Sequence, residues 1–398
     1  MISNRALAVA TGGMIAMATA MGIGRFVYTP ILPFMEAALN LSKADAGLIA
    51  TANFAGYLAG ALMAAWSGVK GSRRLWCIGM LAASAIPTAL MAMTSSLEIF
   101  MAARFAGGFA SAFVLVFGSA IVLEALARYQ RTGLSAMHFG GVGIGIAFSA
   151  VLVARIDAWG LDWRAQWLAC ALATLIAAAF VWLLISKDAD ESAPAGSALA
   201  SPDASPDAKP AETPAIKTRI WPLILAYGLF GFGYVITATF ISTMVRTQSE
   251  IQFLEPYIWL IVGLAGIPSV FVWTAVSRKI GTAQGFAMAC LVEAIAVATS
   301  VLASGPVAMI VSAVFLGGTF MGITALGLMR AREINTGDAR RMLGLMTAAF
   351  GLGQMIGPGF AGYAWQFGES FLFPSMTAAS ALLVAAALTG RRRQSAGR

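Results

Sequence analysis

Five ionisable side chains sit inside long apolar stretches of this sequence: Arg25, Arg104, Glu124, His138 and Glu293. An ionised group at depth in hydrocarbon costs several kcal/mol, with about 2.5–3.5 kcal/mol the low estimate at a helix centre, so such residues default to function. Their types name the chemistry. A guanidinium presents a planar fork that matches a carboxylate or phosphate. A carboxyl group held neutral by desolvation can bind and release a proton. His138 is the only histidine in the chain, and an imidazole titrates close enough to neutrality for modest shifts to switch its charge. Glu124 and His138 as a pair could carry a proton or latch a gate. The structural alternative is a Glu in interfacial water and a His bonded to a helix carbonyl. For Glu293 the alternative is a structural hydrogen bond. Tyr28, Asn53, Tyr57, Tyr234, Thr237 and Gln354 are uncharged polar groups able to orient a ligand, or to bond one helix to another.

Other chemistries lack their residues. Cys77, Cys170 and Cys290 each stand alone in an apolar segment, without the spacing of a zinc site or a disulfide framework. No HExxH, GxSxG or Walker pattern appears, and the run Gly140-Gly141-Val142-Gly143-Ile144-Gly145 has no preceding strand to make it a nucleotide loop. The expectation is a protein that is not an enzyme and that holds no cofactor and no metal.

The elements that position these residues follow from composition. Of 398 residues 59% are hydrophobic and 11% charged, with mean hydropathy +0.80. A soluble domain carries roughly 25% charged residues, so water cannot be the main solvent of this surface. The opening Met1-Ile2-Ser3-Asn4-Arg5 runs into an apolar stretch too long for the core of a cleavable signal. Stretches able to cross about 30 Å of hydrocarbon number twelve: 6–35, 45–67, 75–94, 97–126, 132–154, 163–186, 219–245, 255–277, 283–303, 305–329, 341–366 and 371–390. Between the sixth and seventh, residues 187–218 are rich in Ala, Ser, Asp and Pro, a composition that cannot bury a core and predicts a disordered linker. The expected organisation is a six-helix bundle over 1–186, a cytoplasmic linker over 187–218 and a second six-helix bundle over 219–398.

The net charge of +8 reads as topology once placed. With both termini cytoplasmic, that side holds 20 of the 26 basic residues and the other face only Lys43, Arg155, Arg164 and Arg246. This is a strong positive-inside bias. A nucleic-acid surface would cluster its charges on one element, so no nucleic-acid partner is expected.

The halves repeat at an offset near 210. Phe105-Ala106-Gly107-Gly108 corresponds to Phe315-Leu316-Gly317-Gly318, Ser67 before a basic turn to Ser277 before Arg278-Lys279, and Gly22-Ile23-Gly24-Arg25 to Gly231-Phe232-Gly233-Tyr234, the last one residue off. An even number of spans per half makes such repeats parallel. Twelve spans, a 6+6 repeat and a long central loop resemble the major facilitator superfamily. Arg104 to Gly108 is similar to its span-4 motif. Gly353-Gln354-Met355-Ile356-Gly357-Pro358 in span 11 resembles the glycine–proline antiporter-type motif usually found in span 5. The phrase Gly22 to Pro33, with Asn53, Gly56 and Tyr57, resembles the YbfB/YjiJ-like branch. The loop from Ser67 to Arg74 departs from the superfamily pattern in carrying no acid.

The resemblance implies an all-α integral membrane fold in which spans 1, 4, 7 and 10 line a central cavity. Arg25 and Arg104 then belong to cavity-lining helices of one half. Arg25 is 11 residues before Glu36 and Arg104 is 6 after Glu98, roughly 16 Å and 9 Å below the outer face at helical rise. No acid at matching depth in these spans neutralises them, which points to an anionic ligand. Alternatively, one arginine caps backbone carbonyls where span 1 is disturbed by Pro30 and Pro33, and the other braces the packing of its motif. The leading expectation is a monomeric, alternating-access secondary transporter in a bacterial inner membrane, moving a small organic anion with proton or other ion coupling. Export of amphiphilic or toxic compounds, suggested by the span-11 motif, is the second. A transporter-like receptor or sensor that binds without translocating is the third. Its partners are then a small-molecule substrate, a coupling ion and the lipid bilayer.

Overall fold

The computed structural model describes residues 2–66, 68–186, 220–335 and 339–390. The expected linker over 187–218, the tail arginines from Arg391 and the repeat position Ser67 lie outside the described residues. All regular elements described are helical. They are α1 (Ile2–Met17), a π turn (Ala18–Ile23), α2 (Tyr28–Leu39), α3 (Lys43–Ala65), α4 (Arg73–Ala83), α5 (Ala85–Ala92), α6 (Leu97–Arg128), α7 (Ser135–Ala158), α8 (Trp163–Leu184), α9 (Trp221–Arg246), α10 (Glu255–Gly266), α11 (Ser269–Ile280), α12 (Thr282–Leu302), α13 (Pro306–Ile334), α14 (Ala339–Trp365) and α15 (Leu372–Gly390). Single-turn 3-10 helices precede α7 and α10.

Helix starts are written locally. Ser42, Ser72, Ser96 and Asp162 each accept a hydrogen bond from a backbone N–H three residues on, at 3.1, 3.2, 3.4 and 3.1 Å. These caps satisfy donors that an α-helix leaves free at its first turn. Ten helical stretches are long and apolar enough to cross a membrane, and α10 with α11, bent by 44° at a short break, makes an eleventh. Pro268 stands at that break and, lacking an N–H, interrupts the ladder. The 27-residue α14 is not among the ten, because its glycines, Gln354 and Arg341 dilute its apolar content.

The first span, Asn4–Leu39, is not one regular helix. Gly24 N donates to Thr19 O and Phe26 N to Met21 O, both five residues back at 2.9 Å. The wide π turn and the non-helical stretch after it then hand over to α2. The π turn lies beyond the reach of the prolines, but the non-helical stretch contains Phe26, whose carbonyl Pro30 would crowd in a continuous helix. Pro30 lies in the first turn of α2, where its missing N–H has no helical acceptor to lose, and Pro33 sits inside a helix that continues to Leu39. The irregularity lies beside Arg25, in keeping with the enrichment of π turns at functional sites.

Close helix approaches recur along the chain with a spacing of 209. A Cβ on Gly108 of α6 would meet Asn53 O of α3 at 2.0 Å, and one on Gly317 of α13 would meet Val262 O of α10 at 2.1 Å. Asn53 and Val262 are themselves 209 apart. Backbone contact at such points needs a residue without a side chain. The expected alignment through Gly107-Gly108 and Gly317-Gly318 is thus shifted by one in space, because Gly318 has open space around it.

Segments before residue 187 and after residue 219 meet along three seams. On the α3–α14 seam, Thr51 Oγ1 donates to Met355 O at 2.9 Å and accepts from Gly359 N at 3.1 Å. On the α7–α10 seam, a Cβ on Gly263 would lie 2.4 Å from Ala147 N. On the α2–α9 seam, Thr29 Oγ1 donates to Ala238 O at 2.8 Å and Thr243 Oγ1 to Glu36 Oε2 at 3.1 Å.

Candidate functional site

The break in the first span delivers Arg25 and two unpaired carbonyls to the middle of the molecule. Arg104, on α6, donates Nη1 to Gly24 O at 3.1 Å and Nη2 to Arg25 O at 2.7 Å. Those carbonyls lie where the π turn ends and helical acceptance fails, so Arg104 replaces the lost N–H donors. Its position is held in turn by Asn53, whose Nδ2 donates to Arg104 O at 2.8 Å. The rings of Tyr28 and Trp167 flank the Arg104 guanidinium at 5.4 and 5.7 Å.

Arg25 is situated differently. It is 3% exposed, and its Nε and Nη2 have no hydrogen-bond partner. Three rings surround the guanidinium: Tyr57 at 4.1 Å, Phe54 at 4.8 Å and Phe26 at 5.1 Å. No carboxylate forms an ion pair with Arg25 or Arg104 among the described residues. Magnitudes separate the two arginines. Hydrogen bonds from a charged group contribute about 1.5–3 kcal/mol each, enough for Arg104's pair to offset the about 2.5–3.5 kcal/mol cost of its burial. Arg25 has ring contacts, worth about 0.5–2 kcal/mol, a hydrogen bond with Tyr57, and free N–H donors at Nε and Nη2. It is the group that an anion would satisfy.

A cavity of about 10 Å³ touches both arginines, with Tyr28, Thr29, Phe54, Ala238 and Thr239 in its wall. That is room for about one water, so a larger ligand requires the helices to part. Thr29 and Thr239 were not among the expected site residues. Their signal in the sequence was weak: Thr239 donates to Val235 O one turn back, as threonines in apolar helices commonly do, and Thr29 donates across to Ala238 O of α9, a partner set by packing.

The remaining expected residues fall into separate groups. Tyr28 lines the cavity, and its hydroxyl donates to Ala46 O at 3.0 Å. Tyr57 stands against Arg25. Gln354 Nε2 and the Tyr234 hydroxyl are hydrogen-bonded across α14 and α9, leaving Gln354 Oε1 without a partner. Tyr234 lies within electrostatic reach of Arg25, Tyr57 and Glu293. Thr237 is fully buried, its hydroxyl unpartnered, and does not line the cavity.

Glu124 and His138 are not brought together. Glu124 pairs with Arg73 of α4, whose Nη1 reaches both carboxylate oxygens at 3.0 and 2.9 Å. His138 is fully buried, with Nε2 2.9 Å from Ser119 Oγ. An acid beside a fixed basic turn finds the arginine before a histidine on the next helix. The described residues contain no group of His, Cys, Asp and Glu side chains placed to hold a metal.

Ten or more helices long and apolar enough to cross a membrane, gathered around two buried arginines, define a multi-pass membrane protein. The sequence profile of the family described as "Uncharacterised MFS-type transporter YbfB" matches residues 17–390, and the chain belongs to that family. No curated protein is similar enough in sequence to be counted as a relative. Among solved structures, a mutant of the nucleoside transporter NupG superposes with TM-score 0.73 at 14% identity, over 95% of this chain and 98% of that one. A second NupG structure gives TM-score 0.70 at 14% identity, over 97% and 98%. At that identity the likeness is one of fold.

Proposed function

We propose that this chain is a secondary active transporter of a small organic anion, driven by proton coupling across a bacterial inner membrane. In this reading the helices form twelve spans, with α1–α2, α4–α5 and α10–α11 each a single broken span. The bundles are 1–186 and 219–398, the linker and both termini are cytoplasmic, and one chain suffices. Charge placement supports the orientation, and the recurrence of close approaches at 209 supports two parallel halves. The three seams between the halves support alternating access. At the α2–α9 seam the closure lies near the outer face, where Glu36 also pairs with Lys43 at 2.7 Å and Arg246 with Glu255 at 2.9 Å.

The observation that carries the substrate class is Arg25, a buried guanidinium with free N–H donors and no acidic partner. The glycine–proline stretch of α14 favours export less than its sequence suggested. Its residues serve packing, as Gly357 against Val235 and Pro358 O beside Gly47 show.

The test is a thermal-shift screen of purified wild-type protein and Arg25→Ala against carboxylates, phosphate monoesters, nucleosides, sugars and cationic amphiphiles. A ligand that binds the folded state raises its stability. An anion should stabilise the wild type and lose at least tenfold in affinity for Arg25→Ala. Stabilisation by neutral or cationic compounds alone, equal in both proteins, overturns the anion reading. Counterflow of the hit in proteoliposomes then separates a carrier from a receptor that only binds.

A further inference from the structure

Glu293 stands near the middle of α12, fully buried, far from any helix end and outside the cavity at Arg25. It has no cationic partner among the described residues. Its Oε2 is hydrogen-bonded to Thr319 Oγ1 of α13, and its Oε1 has no partner. Thr319 Oγ1 also lies 2.5 Å from Phe315 O, one turn back on its own helix. A threonine hydroxyl this close to the carbonyl one turn back on its helix ordinarily donates to it. A hydroxyl has one proton, and a carbonyl oxygen only accepts. The Thr319 proton therefore goes to Phe315 O, since otherwise the hydroxyl and carbonyl lone pairs would face each other at that distance. The proton in the Glu293–Thr319 contact must then come from the carboxyl group.

We propose that Glu293 is a proton-binding site, held in this conformation as the neutral acid that donates from Oε2 to Thr319 Oγ1. Ionisation breaks the Oε2–H bond and passes the proton to a water molecule. The carboxylate then becomes an acceptor, and the Thr319 hydroxyl turns from Phe315 O to donate to it. No other bond changes. The site is built to register whether α12 and α13 stay closed, because a carboxylate with an unpartnered oxygen is tolerated only where water can reach it.

The surroundings contain nothing to hold the charge in place. α12 packs against α9, α11, α13 and α15. Cys290 on its own helix and Tyr234 on α9 are the titratable groups within reach, and both are neutral at ordinary pH. Tyr227 on α9 bonds to Thr324 O, further along α13. α15 has no titratable residue. The charges of α11 and α13 (Arg278, Lys279, Arg330, Arg332 and Glu333) are all close to those helices' C-terminal ends, at least roughly 16 Å from Thr319 along α13 by helical rise. Tyr234 links the site to Arg25. Its ring stacks on Phe320, the neighbour of Thr319, at 5.8 Å, and it lies within reach of both charges.

The role of this proton in driving transport rests on the function proposed above; the proton site itself does not. The test is infrared spectroscopy of the purified protein in lipid nanodiscs at neutral pH. Wild type should show a protonated-carboxyl C=O band that shifts in D₂O and is lost in Glu293→Gln. Thr319→Val, which keeps the acid and removes its acceptor, should move that band to higher frequency. No band difference between wild type and Glu293→Gln overturns the proposal. So does an unmoved band in Thr319→Val, which remains decisive if the glutamine variant fails to fold. A band that behaves as expected, in a protein whose transport is indifferent to a proton gradient, supports the proton site and removes proton coupling from the proposed function.

Discussion

Arg25 and Arg104 are the same residue type in similar apolar surroundings, and they have opposite fates. Arg104 donates to the Gly24 and Arg25 carbonyls, so its removal leaves two buried acceptors unpaired as well as losing two charged hydrogen bonds. Arg104→Leu should therefore lower the thermal midpoint of the detergent-purified protein by several degrees, in line with a loss of about 3 kcal/mol or more. Arg25→Leu removes a buried charge offset only by ring contacts and a hydrogen bond with Tyr57, with Nε and Nη2 unpartnered, and should cost less than Arg104→Leu or leave the midpoint unchanged. Equal destabilisation by both substitutions would place the two arginines in the same structural role. His138 and Glu124 illustrate the same point about partners. Each was legible as an intramembrane ionisable group, but the partners, Ser119 and Arg73, come from other helices.

Among the elements, glycines decide how near two helices can come. Gly108 and Gly318 occupy the same place in the repeated sequence motif, yet only Gly108 is pressed against a neighbouring backbone. Gly108→Ala, driven against Asn53 O, should reduce the yield of folded protein and lower its thermal midpoint. Gly318→Ala should change stability by less than about 0.5 kcal/mol, as substitutions into open space do. Size-exclusion yield and thermal denaturation read both. The break at residues 18–27 is the other decision made at this level. The apolar stretch predicted a span there, and the prolines suggested a disturbance, but the π turn lies upstream of both. Pro30 opposes a continuous helix only through Phe26, whose carbonyl its ring would crowd; the π turn before it is held where α6 and α7 pack against it, and Arg104 caps the exposed carbonyls.

For the whole molecule, the proposed transport cycle predicts that the seam between α2 and α9 opens. Thr29 with Ala238 and Glu36 with Thr243 tie it shut. Cysteines introduced at positions 36 and 243 and joined by a short bifunctional thiol reagent should abolish counterflow, while the unlinked double variant retains it. The native Cys77, Cys170 and Cys290 are buried and should not react under the same conditions. Full activity after complete cross-linking would exclude opening at this seam. The fold was the most legible part of the chain, because crossing hydrocarbon forces every backbone N–H and C=O into helices and leaves apolar length as a direct record of them. The candidate site was legible only as a set of ionisable residues. By itself the sequence determined that the chain is a helical membrane protein, and which charges its apolar helices must carry. The tertiary structure alone decided which of those charges are satisfied. Arg104 finds its acceptors on a helix break some 80 residues away in the chain, and hydrogen-bond partners at that separation are set by packing, not by spacing. Arg25 is left as the unsatisfied cation at the centre of the molecule.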